Sequence, residues 1–315
     1  MFIFYLLCSI VAMYLIISKI VYLFFFSAIR FEKYNYFLVY TLSVLIFPLA
    51  LLQQVSMLRY INFLSFLVVG YVIIVSVSQC FSYHNALFPD GKETMNFFII
   101  NSFKDFFSNY GLIVFAFNCF SNFYGVANNV DKPSPRRLRK IFRRTVLILY
   151  FLMALFGLGA YYSLGGEAIN VEMFIFRPKP NDWQSDLLMQ IGQISYLIVL
   201  FNSIVLYTNP MKIMLLNFMG FKVTQHKQNL LFTVLQILLV SIISTSFSNI
   251  VVFLNFVGGL LGTMFVFVFP GLMASKLKVN GEGMRHWFLV SWVIVVTCLG
   301  FISGIWSFID IMLYN

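Results

Sequence analysis

Residues 228–275 read QNLLFTVLQILLVSIISTSFSNIVVFLNFVGGLLGTMFVFVFPGLMAS, without one charged side chain. A helix that crosses a bilayer needs about 20 residues, so this run is more than twice the length of one span. In its middle stands the polar knot Ser244-Thr245-Ser246-Phe247-Ser248-Asn249. Clustered Ser, Thr and Asn between apolar segments mark a tight turn. The run therefore divides into two membrane helices, predicted over 229–247 and 250–273.

The same parsing extends to the rest of the chain. Charge-free stretches place further spans over 2–26, 36–54, 60–80, 107–128, 143–164, 187–208 and 287–309. The total is about nine. Composition agrees: of 315 residues, 61% are hydrophobic and 10% charged, with 39 Phe and 17 Tyr. The mean hydropathy is +0.89. Soluble domains carry roughly 25% charged residues, so a soluble enzyme, a nucleic-acid binder and a disordered scaffold are all excluded. The expectation is an all-α integral membrane protein, with 1–315 forming a single transmembrane domain. The apolar N-terminal stretch lacks a basic n-region and a small-residue cleavage site, and is read as a retained span rather than a signal peptide.

Charge sets the predicted orientation. The net charge is +10, and Lys and Arg collect on the cytosolic side of membranes. With the N-terminus inside, the inner loops hold Arg59, the block Lys132 to Arg144, Lys212, Lys222, Lys227, Lys276, Lys278 and Arg285. The outer loops hold fewer basic residues and most of the acidic ones. The N-terminus is therefore expected in the cytosol and the C-terminus outside it. The basic block 136–144, with Leu138, Ile141 and Phe142 interleaved, reads as an amphipathic segment on an anionic leaflet, making membrane lipid a partner and nucleic acid none. A protein partner is not legible.

Enzyme chemistry is hard to find. His84, His226 and His286 fall in predicted loops, and GxSxG, HExxH and GxxxxGK[ST] motifs are absent. Four scattered cysteines, Cys8, Cys80, Cys119 and Cys298, suggest neither a metal site nor a disulfide framework. Polar residues inside spans are costly and tend to mark pathways. In span 107–128 the run Phe115 to Gly125 mixes Asn118, Ser121 and Asn122 into aromatic sequence. It reads either as a helix whose amides bond to neighbouring helices or as a broken helix facing a cavity. In span 187–208, Ser195, Asn202 and Ser203 share one helical face, which is either a lined pathway or an interhelical hydrogen-bonding strip. Gly258, Gly259 and Gly262 read as close packing, Pro270 as a kink or end, and Lys19 as a cation that snorkels or faces a cavity.

With its spans placed, the chain resembles the amino acid/auxin permease family, most of all the system A/N sodium-coupled neutral amino acid transporters and their vacuolar relatives. Cys119 through Asn129, then Ser134-Pro135-Arg136-Arg137-Leu138, falls on the family's sixth helix and following loop. Phe47-Pro48-Leu49-Ala50-Leu51 with Leu58-Arg59-Tyr60, Leu155-Phe156-Gly157 with Tyr161-Tyr162, and Asn255 to Gly259 with Phe267 to Pro270 resemble further family segments in the right order. The nine spans correspond to family helices three to eleven, so the first two are expected to be missing.

The resemblance implies a partial inverted-repeat transporter fold of the LeuT/APC type. It implies a secondary transporter of small neutral amino acids working by alternating access at a plasma, vacuolar or lysosomal membrane. Its substrate would meet Phe117, Asn118, Cys119 and Phe120. Ser203 falls on a sodium-binding threonine of the relatives, so sodium or proton coupling is implied and no other cofactor. Phe120 stands where relatives often have His, and Asn128 and Asn129 replace an acidic pair, which departs from a proton-sensitive pattern. The rival expectation is a truncated, transport-dead subunit or amino-acid sensor.

Overall fold

The computed structural model describes residues 2–25, 34–51, 59–88, 103–117, 130, 134–164, 186–220, 226–247, 249–276 and 284–314. Among these residues the regular structure is all helical, with the rest in turns and helix caps. The helices are α1 (Phe2–Phe25), α2 (Tyr34–Ala50), α3 (Arg59–Leu87), α4 (Phe103–Ala116), α5 (Pro135–Leu164), α6 (Leu187–Phe218) and α7 (His226–Thr245). They are followed by α8 (Ile250–Lys276) and α9 (Met284–Tyr314). Each falls where the sequence predicts a span. Seven are long and apolar enough to cross a membrane, namely all but α2 and α4. In lipid only intrahelical pairing satisfies every backbone group of an isolated segment, which is why apolar runs of this length become helices. This is a multi-pass helical membrane protein.

The turn predicted inside 228–275 is present. Helix α7 ends at Thr245, and Asn249 caps α8 by accepting from the N–H groups of Val251 (3.0 Å) and Val252 (3.3 Å). An Asn side chain at this position satisfies donors that the helix itself leaves unpaired.

Helix α1 is the hub. Tyr5, Leu6, Ile10, Val11, Tyr14, Ile17 and Ile20 are buried in one cluster with side chains of α2, α6, α7 and α8. Hydroxyls tie the hub's neighbours together, for Ser43 of α2 and Ser241 of α7 lie 2.6 Å apart. Helix α5 is the opposite case. Most of its described contacts run along α3, and its buried residues are Gly159, Ser163 and Leu164 near one end. The remaining apolar surface of α5 suits lipid.

Three readings of the sequence are revised. The basic block 136–144 is not a separate surface helix but the first turns of α5, started by Ser134, whose Oγ accepts from the N–H of Arg137 at 3.2 Å. Pro135 follows at the first helical position, where its missing N–H costs nothing. Helix α3 runs past the predicted end at 80 to Leu87 and takes His84 into its last turn. Helix α6 does not stop near Thr208 but continues through Pro210 to Phe218. In a membrane an early stop would expose backbone groups to lipid, so proline is tolerated within the helix. Lys212 is thereby a buried helix residue, 2% exposed, rather than a loop residue. Lys19 is half-buried in α1.

Candidate functional site

The last described turn of helix α4 closes at Phe117, whose N–H donates to the Ile113 carbonyl at 3.1 Å. Phe117 is the described member of the predicted substrate set; Asn118, Cys119 and Phe120 lie outside the described residues. Aromatic rings surround this end of α4. Phe115 meets Tyr5 of α1 at 6.4 Å between centroids, and Phe117 meets Tyr150 of α5 at 6.3 Å. Phe265 of α8 continues the wall, 5.7 Å from Tyr5 and 5.3 Å from Phe2.

The α8 side of this wall is unusual. Val257–Gly262 and Met264–Val268 are π-helical, with Thr263 between them. Pro270 follows in the α-helical segment Phe269–Lys276, so it does not end the helix. Stretches of π-helix are rare and occur often at functional sites. Glycines bring the helices together here. A Cβ on Gly258 would run into the Gly111 carbonyl and stand 2.8 Å from Phe115 Cβ; one on Gly259 would stand 2.7 Å from Gly304 N. The glycines of α8 therefore do what close packing requires.

Two hydrogen bonds hold α4 to this wall. The Leu112 N–H donates to Asn255 Oδ1 of α8 at 2.7 Å, and the Gly111 N–H donates to Ser303 Oγ of α9 at 3.1 Å. Tyr110 adds a third link, its hydroxyl donating to the Val296 carbonyl at 3.3 Å. Sequence reasoning missed Asn255 and Ser303 as anchors. Both lie in ordinary apolar helix sequence, and only the fold brings them to α4.

The polar face of α6 divides. Asn202, 5% exposed, donates through Nδ2 to Asn62 Oδ1 (2.6 Å) and Ser65 Oγ (3.3 Å) of α3. For Asn202 the interhelical reading holds. Ser195 lines a shallow groove of about 240 Å³ with Ile191 and with Leu67, Val68 and Tyr71 of α3. Ser203 is half-buried and donates to the Val199 carbonyl one turn back at 2.8 Å. That bond uses its proton and leaves oxygen lone pairs for another partner. Helix α1 packs along α6 and touches Phe115 of α4 through Tyr5. No group of three His, Cys, Asp or Glu side chains suited to a metal ion occurs among the described residues.

A family model described as "Transmembrane amino acid transporter protein" matches residues 1–313. A Plasmodium falciparum protein named as an amino acid transporter, AAT1, is 27% identical over 129 residues, which is 41% of this chain and 20% of that protein. Vacuolar amino acid transporter 7 of Saccharomyces cerevisiae is 23% identical over 152 residues, 46% of this chain and 30% of the yeast protein. These matches thus span less than a third of the relatives' lengths. No solved structure matches the chain.

Proposed function

The chain belongs to the transmembrane amino acid transporter family, and we propose that it is a secondary transporter moving small neutral amino acids by alternating access. The observation that carries this reading is the last described turn of α4, where Phe117 faces the Tyr150 ring of α5, Phe115 faces the Tyr5 ring of α1, and the glycines of α8 pack close by. A zwitterion held within a bilayer needs backbone donors for its carboxylate and carbonyls for its ammonium. Helix ends inside the protein supply those groups, and aromatic walls exclude water around them. Phe117, Asn118, Cys119 and Phe120 are assigned to the substrate on this reading.

Ser203 is assigned to a coupling cation, because a hydroxyl oxygen on α6 is a hard ligand of the kind small cations take. Sodium is the first coupling ion to test and the proton the second. The yeast relative's name favours a vacuolar membrane over the plasma membrane, and the distribution of basic residues favours a cytosolic N-terminus.

The test is uptake of radiolabelled neutral amino acids into proteoliposomes holding the purified chain, with and without a sodium or pH gradient. Accumulation that collapses when the gradient is dissipated supports coupled transport. Specific binding without accumulation would replace it with the sensor reading.

A further inference from the structure

We propose that Asn255 and Ser303 are positioning residues that set where the last turn of α4, and with it Phe117, stands. This inference rests on the reading that Phe117 lines the substrate site. Residues 111 and 112 lie inside the continuous helix Phe103–Ala116, where N–H groups point to carbonyls four residues back, and side-chain acceptors are added to that geometry. Their two successive N–H groups reach side chains of two other helices, Ser303 Oγ at 3.1 Å and Asn255 Oδ1 at 2.7 Å. The acceptors are 0% and 4% exposed, so no solvent competes for them. The approach depends on Gly111, because a Cβ there would strike the Asn255 carbonyl and stand 2.9 Å from Gly259 N.

Leu112 lies five residues before Phe117, about 7.5 Å along the helix axis. The Phe117 N–H in turn rests on Ile113, the residue next to the clamp. Fixing Leu112 therefore fixes the last turn. Asn255 also stands two residues before the π-helical run Val257–Gly262. A change in the winding of that run moves Asn255 relative to the rest of α8 and carries α4 with it. The clamp thus transmits the winding of α8 to the end of α4.

The experiment compares Asn255→Leu, which deletes the acceptor, with Asn255→Asp, which keeps a carbonyl or carboxylate oxygen in place. Each is read by equilibrium binding of a radiolabelled neutral amino acid and by amide hydrogen exchange of residues 109–116 in lipid nanodiscs. Asn255→Leu is expected to weaken binding about tenfold, the size of one buried hydrogen bond, and to speed exchange at Leu112. Asn255→Asp should restore both, and Ser303→Ala should give a smaller effect of the same kind. Unchanged exchange in Asn255→Leu overturns the clamp, and faster exchange with unchanged affinity overturns its positioning role. A parent chain that binds but does not accumulate substrate overturns the transport reading alone, since affinity and exchange still decide the clamp. A parent chain that binds no amino acid overturns both.

Discussion

Lys212 of α6 donates from Nζ to the carbonyl of Ala50, the last residue of α2, at 3.1 Å. The final carbonyls of a helix have no partner within it, and a cation is favoured at that negative end of the helix dipole. The Leu51 N–H takes the Phe47 carbonyl, and Lys212 takes that of Ala50 from another helix. The lysine is therefore explained as a cap, supplied across the bundle to a helix end buried in a membrane protein.

Removing the ammonium leaves the Ala50 carbonyl buried without its donor. Lys212→Ala should cost about 1–3 kcal/mol, the penalty of an unsatisfied buried polar group, with the lost stem volume added to it. Lys212→Met retains volume and removes the cost of burying a charge, so it should be the milder change. Thermal unfolding in detergent, followed by light scattering or tryptophan fluorescence, ranks the two. If Lys212→Ala melts with the parent, the ammonium carries no structural load.

Glycines give a sharper contrast. Gly258→Leu must push against the Gly111 carbonyl and Phe115. Overpacking of this kind costs about 1–3 kcal/mol, and here it parts α4 from α8. Gly157 in α5 has nothing within 4 Å of an added Cβ, so Gly157→Ala should be neutral or stabilising by up to about 1 kcal/mol. Parallel melting curves check both, and equal tolerance at the two positions would mean that α4 and α8 are not in glycine contact.

What was legible in the sequence was whatever depends on local composition. Charge-free length located the helices, and the Ser-rich knot at 244–249 located the turn after α7. Local rules failed where the membrane overrode them. Thr208-Asn209-Pro210 reads as a helix end in water, yet α6 continues and buries Met211, Lys212 and Leu216. The basic residues 136–144 read as a surface segment, yet a helix begun at Pro135 has no reason to stop before Leu164. The anchors of α4 were illegible for another reason. Asn255 is 143 residues from Leu112 and Ser303 is 192 from Gly111, and no local pattern says which backbone group a buried amide will meet.

Orientation can be checked without any transport assay. A tag on Asn315 should be accessible from outside, or from the lumen, in unpermeabilised membranes, whereas a tag inserted after Lys132 should not. The proposed orientation puts the basic block that follows Lys132, and with it that end of α5, in the cytosol by the positive-inside bias. Both tags on one face would mean that one helix does not cross, and the short helices α2 and α4 would be the first to examine.

The last prediction concerns Asn118 and Ser203, which are assigned to different ligands and so should fail differently. Asn118 follows Phe117 and is assigned to the substrate; Asn118→Leu should abolish uptake and binding at unchanged protein levels. Ser203 donates its proton to Val199, so only its lone pairs are offered to a cation. Ser203→Ala removes one oxygen ligand and nothing else of size. It should raise the sodium concentration for half-maximal uptake several-fold, the worth of one modest polar contact, while leaving the maximal rate at saturating sodium close to the parent's. Uptake measured against sodium at fixed substrate, then against substrate at fixed sodium, separates the two effects. If both variants keep the parent's affinity and ion dependence in a chain that transports, these side chains serve only as helix hydrogen-bonders, worth roughly 0.6 kcal/mol each. The substrate would then have to be met by the ring-lined α4–α8 wall around Phe115 and Phe265 rather than by Asn118.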